Sequence, residues 1–188
     1  MVVNINLRTK PMKNLLLLSI IFIFFLSSCE QKKKYLTPQE LEAEKEKIKL
    51  VIQNFNQASE DEDFGKMVEY LSDEVTFFGT DSSEIIKTFA EYKKAIDQQW
   101  QIYDRIHYSD LNDVTVFIDR EGSLATIFYG SSASVLKQGI TKEYYLRGAR
   151  ILEKKDDKWL IVGGLTGIVR SSNEVERSHL TADSLGQP

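Results

Sequence analysis

Cysteine is almost missing from this chain of 188 residues, with Cys29 its only example. One thiol cannot form an intramolecular disulfide or build a zinc–thiolate cluster. Histidine is nearly as scarce, and neither His107 nor His179 has partners at a metal-ligand spacing, so no metal site is expected. No glycine-rich loop suited to cradling a phosphate is present, and no cofactor is expected. Acidic residues outnumber basic ones for a net charge of −4, which argues against nucleic acid as a partner. A long apolar run is lacking too. The richest, Leu15–Leu26, is broken only by Ser19, but a membrane span needs about 20 such residues.

That run has the layout of an export signal: Arg8, Lys10 and Lys13 before it, the small residues Ser27 and Ser28 after it. Met12 offers an alternative start, since Met12-Lys13-Asn14 already supplies a charged leader. Leu26-Ser27-Ser28-Cys29 resembles the bacterial lipobox, whose cysteine sulfur is acylated after cleavage just before it. The resemblance implies a signal over residues 1–28, a lipid anchor on Cys29 and a charged tether over residues 29–36. An ordinary secretory signal followed by a chance cysteine is the alternative. Loss of three basic residues from a chain of charge −4 leaves about −7. The segment after Cys29 lacks an acidic run, so the expected location is the bacterial envelope, on the outer membrane and facing the periplasm.

Thr37-Pro38-Gln39-Glu40 has capping-box spacing with proline at the first helical position. The helix it opens carries Leu41, Ile48, Val51, Ile52, Phe55 and Ala58 on one stripe, and the charge run from Glu42 to Lys49 reads as its solvated face. Asp63 can cap a short second helix bearing Phe64, Met67, Val68 and Leu71. Thr88 and Glu91 repeat the capping box before Phe89, Tyr92, Ile96, Trp100 and Tyr103. Val75–Phe78 reads as a strand. From Ile106 the period becomes two, with strands expected around Val114–Ile118, Leu124–Val135, Glu143–Lys154 and Trp159–Leu165. Asp156-Asp157 marks a hairpin turn between the last two. Long strands with short turns predict an antiparallel sheet, and helices preceding it give an α+β class. The tail over residues 171–188 is polar and aperiodic.

The order Asp61-Glu62-Asp63-Phe64, Tyr70-Leu71-Ser72-Asp73, Phe77-Phe78-Gly79-Thr80-Asp81 with Glu84, then Arg147 and Leu152 to Trp159, resembles the SnoaL-like branch of the nuclear transport factor 2-like superfamily. The resemblance runs from about Leu41 to Val169, within a domain bounded at residues 37–170. It implies a cone: a strongly curved antiparallel sheet wrapped against three N-terminal helices, with a pocket at the open end. Ketosteroid isomerases, polyketide cyclases, dehydratases and non-enzymatic binding or dimerisation modules share this fold, so the fold does not name the chemistry.

Enzymes of the isomerase type place an aspartate base at the end of the first strand, and here that position falls on Gly79. Asp81 is the nearest carboxylate; it could act as base beside Tyr70, or cap a turn. Many members carry a histidine in the last strand, where this chain has Leu165. Candidate pocket residues are Phe78, Trp100, Tyr103, Tyr129 and Tyr145, with Arg147 as the fixed cation. Arg147 shares strand parity with Tyr145, Ala149 and Ile151, which would turn it to the concave face to fork a carboxylate, or to pair with Asp81 or Glu84. Core filling accounts for most of the stripe Phe89, Tyr92, Ile96 and Trp100. Gly163, Gly164 and Gly167 suggest a bend in the last strand. The expected function is binding of a small apolar or weakly acidic ligand, or of a protein, without catalysis. An isomerase, cyclase or dehydratase using Asp81 is the alternative, and homodimerisation through the open sheet face is compatible with both.

Overall fold

The computed structural model describes residues 35–80 and 84–169. Cys29, the tether as far as Lys34, Asp81, His179 and the polar tail lie outside the described residues. No helix among the described residues is long and apolar enough to cross a membrane.

Three helices precede the main strands: α1 (Pro38–Glu60), α2 (Phe64–Val68) and α3 (Phe89–Ile102). Each starts where local chemistry supplies acceptors for free amides. Thr37 and Thr88 form complete capping boxes with Glu40 and Glu91, and Asp63 accepts from the Lys66 amide. The buried stripe of α1 is Glu44, Ile48, Ile52, Phe55 and Ala58. Glu44 breaks the expectation that its charge run is wholly solvated, because its carboxylate accepts from the Trp159 indole at 2.6 Å inside the fold.

Seven strands form one sheet: β1 (Leu71–Phe78), β2 (Ile85–Ile86), β3 (Arg105–Tyr108), β4 (Asn112–Ile118), β5 (Leu124–Lys137), β6 (Ile140–Lys155) and β7 (Lys158–Ile168). Their order is β2-β1-β7-β6-β5-β3, and β4 also pairs with β5. The long β5–β6–β7 meander is antiparallel and turns at two tight hairpins. Gln138-Gly139 and Asp156-Asp157 sit at those turns with positive φ at both central residues, the geometry that matches strand twist in two-residue loops. The expectation of a purely antiparallel sheet needs one correction: β1 runs parallel to β7. At that seam a β-carbon on Gly163 would lie 2.2 Å from the Thr76 carbonyl oxygen, so this glycine permits close backbone approach.

The sheet is curved and open, with its concave face against the helices. Ile127, Leu152 and Ile161 from the sheet and Ile48 and Ile52 from α1 are essentially inaccessible and share one core. At the narrow end Lys154 joins Glu44 at 3.0 Å and lies over the Trp159 ring.

Candidate functional site

Register decides which side chains enter the concavity. On β5 the buried residues are Ala125, Ile127, Tyr129, Ser131 and Ala133, and their partners on β6 are Leu152, Arg150, Gly148, Leu146 and Tyr144. Paired residues on neighbouring strands share a face, so the even-numbered residues of β6 point inward. Arg147, Tyr145, Ala149 and Ile151 therefore lie on the convex face, opposite to the orientation expected from parity. Alternation supplies the period but not the phase, because both faces carry apolar residues. Arg147 is exposed and opposes Gly130. Tyr145 crosses Gly130 and donates its hydroxyl to Asn112; desolvation and the Asp113 carboxylate push its pKa up.

Besides Lys154, which pairs with Glu44, the inward cation of β6 is Arg150. Its Nη1 donates to the carbonyls of Leu165 at 2.7 Å and Ala149 at 3.0 Å, and Nη2 donates to Thr166 Oγ1 at 2.9 Å. The guanidinium carbon lies 5.7 Å from the Phe77 ring centre and 5.9 Å from that of Tyr129, within cation–π range. Phe77 stacks on Tyr92 at 5.1 Å, Tyr92 meets Phe64 at 6.3 Å, and Phe64 meets Phe89 edge-on at 5.8 Å. Two rings from the strands thus lie over the guanidinium, and a chain of rings from two helices continues behind Phe77. Two glycines make the room: a β-carbon on Gly148 would sit 2.4 Å from Tyr129 Cζ, and one on Gly164 would sit 2.9 Å from Arg150 Cδ.

The electrostatics of this cup follow from burial. Burial pushes the Tyr92 phenol up, against the opposing pull of Arg150. Tyr108 is raised for the same reason, with hydrogen bonds to Ser59 and Gln99 acting the other way. Both phenols stay neutral at physiological pH and can donate. Among the described residues Arg150 has no carboxylate partner. A guanidinium has five N–H groups; Leu165, Ala149 and Thr166 engage three, and Nε plus one Nη2 hydrogen have no protein acceptor there. No fully buried side-chain nitrogen among the described residues lacks a partner, so Nε is not fully buried.

The other expected pocket residues are scattered. Phe78 and Leu165 stand side by side on the convex face, each about half exposed. Trp100 packs against the core and donates its indole N–H to the Ser59 carbonyl. Tyr103 caps α3 with the Lys137 ammonium over its ring. Tyr70 packs on the core just before β1, and its carbonyl accepts from the Ile161 amide. Glu84 folds back over Gly79 to accept from the Thr80 amide at 2.7 Å. Tyr129 alone of the expected pocket set adjoins Arg150. Sequence reasoning overlooked Arg150, Tyr92 and Tyr108; the signal available for Arg150 was Gly148 and Gly164, small residues at the two positions beside it.

A family model for a SnoaL-like domain matches residues 48–164. A comparison with curated proteins finds no match. Among solved structures, a candidate dehydratase of the NTF2-like (nuclear transport factor 2-like) family from Streptomyces avermitilis is 14% identical, with a TM-score of 0.61 over 69% of this chain and 99% of its own. A Mycobacterium tuberculosis protein of unknown function is 16% identical, with a TM-score of 0.64 over 73% of this chain and 79% of its own. The association domain of CaMKII from C. elegans is 20% identical, with a TM-score of 0.55 over 67% and 96%. At these identities the likeness extends to the fold alone.

Proposed function

The chain belongs to the SnoaL-like domain family, and from that premise we propose that it is a binding module whose concave cup holds a small apolar molecule carrying one acidic group. The observation that carries this reading is Arg150: a cation inside an aromatic cup, free of carboxylate partners among the described residues, with donors to spare. Rings accept the apolar body, and the guanidinium selects the acid. The test is calorimetric titration of phenylacetate against its uncharged isostere phenylacetamide. Phenylacetate should bind at least tenfold more tightly, and Arg150→Gln should erase that preference. Equal affinity for acid and amide, or a preference surviving in the variant, overturns the reading.

The enzymatic alternative takes the same cup and adds Asp81 as a proton-abstracting base beside Tyr70 or Tyr129; the relative described as a candidate dehydratase is what favours it. Loss of ligand turnover in Asp81→Asn with binding intact would establish catalysis. Anchoring belongs to this proposal too: acylated Cys29 holds the domain to the envelope, facing the periplasm. In a Gram-negative host Cys29→Ala should lose incorporation of labelled palmitate, whereas a variant that stays membrane-bound after its signal has been cleaved rejects the lipid anchor.

A second copy of the chain is the proposed partner of the convex face. Ile85, Phe78, Leu165, Ala149 and Phe128 form a row across five strands, and Phe117 meets Phe128 edge-on beside it. Phe117 is 62% exposed. A connected apolar face of this kind marks an interaction surface.

A further inference from the structure

Away from the concave cup, a cleft of about 400 Å3 opens where the end of α1 meets β3. Small-molecule sites have volumes of this order, and an acid held by Arg150 would leave it empty. One wall comes from the strands. Arg105 and His107 alternate along β3, so they share a side, together with their register partners Leu136 and Ser134. Thr141 of β6 opposes Leu136 and extends the row. The other wall is the last turn of α1, with Gln57, Glu60 and Asp61.

The two walls differ in sign. The negative end of a helix dipole lies at its last turn, although here the carbonyls of Gln57, Ala58 and Ser59 already accept from the amides of Asp61, Asp63 and Glu62. Here the last turn holds no basic residue, and Glu60 and Asp61 add to the negative end. Glu60 is already engaged: Oε1 accepts from the Tyr108 amide at 2.7 Å, and Oε2 faces His107 Nδ1 at 2.8 Å. A carboxylate has no proton to give, so Nδ1 carries the hydrogen, and Nε2 is the free end of a largely exposed ring. Asp61 accepts from Gln57 Nε2 through Oδ1 at 2.9 Å, which leaves Oδ2 open to a ligand. Opposite, Arg105 is exposed and has no ion pair among the described residues.

A simple anion would meet the helix end, and a simple cation would meet Arg105. We propose that the cleft binds a small zwitterion, a free amino acid or dipeptide. Its carboxylate forks onto Arg105, and its ammonium sits against Asp61 Oδ2. Ser134, Thr141 and His107 Nε2 are placed to meet a peptide group, while Leu136, on the same side, offers an apolar contact for a side chain. Single-sign ligands are rejected by an unpaired like charge, so discrimination here rests on repulsion as much as on attraction.

The experiment compares three probes by amide NMR on the full-length protein in detergent: dialanine, N-acetyl-dialanine and dialanine amide. Dialanine should shift the amides of residues 57–61 and 105–108 saturably, and blocking either end should weaken binding at least tenfold. Arg105→Gln should make dialanine and its amide equivalent, and Asp61→Asn should make dialanine and its acetyl form equivalent. Both variants are surface isosteres, and unchanged spectra elsewhere establish that they fold. No saturable shift with dialanine, equal binding of all three probes, or a preference surviving both substitutions overturns the proposal.

Discussion

A carboxylate as buried as Glu44 persists as an anion only because donors reach it. Burial alone would raise its pKa; hydrogen bonds from Lys47, Trp159 and Lys154 more than reverse this, down to about 2 from an ordinary value of 4.5. A pKa lower in the folded state than in the unfolded one contributes stability above the unfolded value, and the contribution disappears as pH falls through the folded value. Resistance to urea should therefore weaken between pH 4.5 and pH 2. Glu44→Gln should flatten that slope and cost roughly 1–3 kcal/mol at pH 7, since it leaves buried donors with a poorer acceptor. An unchanged slope would remove Glu44 from the account. Crowding by Gly148 provides a second residue-level expectation. Gly148→Ala should displace the Tyr129 ring and cost about 1–3 kcal/mol, measured by thermal unfolding, with loss of phenylacetate binding alongside.

Helix starts and hairpin turns are the elements whose causes are most local. Thr37→Ala and Thr88→Ala should each cost about 1 kcal/mol by chemical denaturation, because each removes the acceptor for an amide at a helix start. At the last hairpin Asp156 has φ of 49°. Asp156→Gly should be neutral or stabilising, and Asp156→Val should destabilise by about 1–2 kcal/mol, since a branched side chain tolerates left-handed backbone poorly. Equal stability of the two would reject the turn assignment. These elements were legible in the sequence because the groups that make them are near neighbours along the chain. The phase of β6 was not, because Phe117, Phe128, Ile151 and Leu165 make the convex face as apolar as a core face. A period-two pattern fixes inside and outside only when one side is polar. The buried role of Glu44 was hidden for a similar reason: its partners Trp159 and Lys154 lie far along the chain.

At the scale of the whole molecule, the convex apolar face should bring two copies together. Sedimentation equilibrium should show a concentration-dependent dimer, and Phe128→Glu should shift it to monomer while leaving the helical circular dichroism unchanged. A monomer at all concentrations in the unsubstituted protein would reject the face as a self-association surface. The parallel seam between β1 and β7 has a separate consequence, for the order of folding. Leu71 lies opposite Ile161, and nearly the whole domain must be synthesised before that pairing exists. The consecutive strands β4 to β7 can pair early as hairpins, but the first strand has only the two-residue β2 to pair with until the last one arrives. Such long closure slows folding toward the millisecond-to-second range, so the seam is the last part of the sheet that a growing chain can complete.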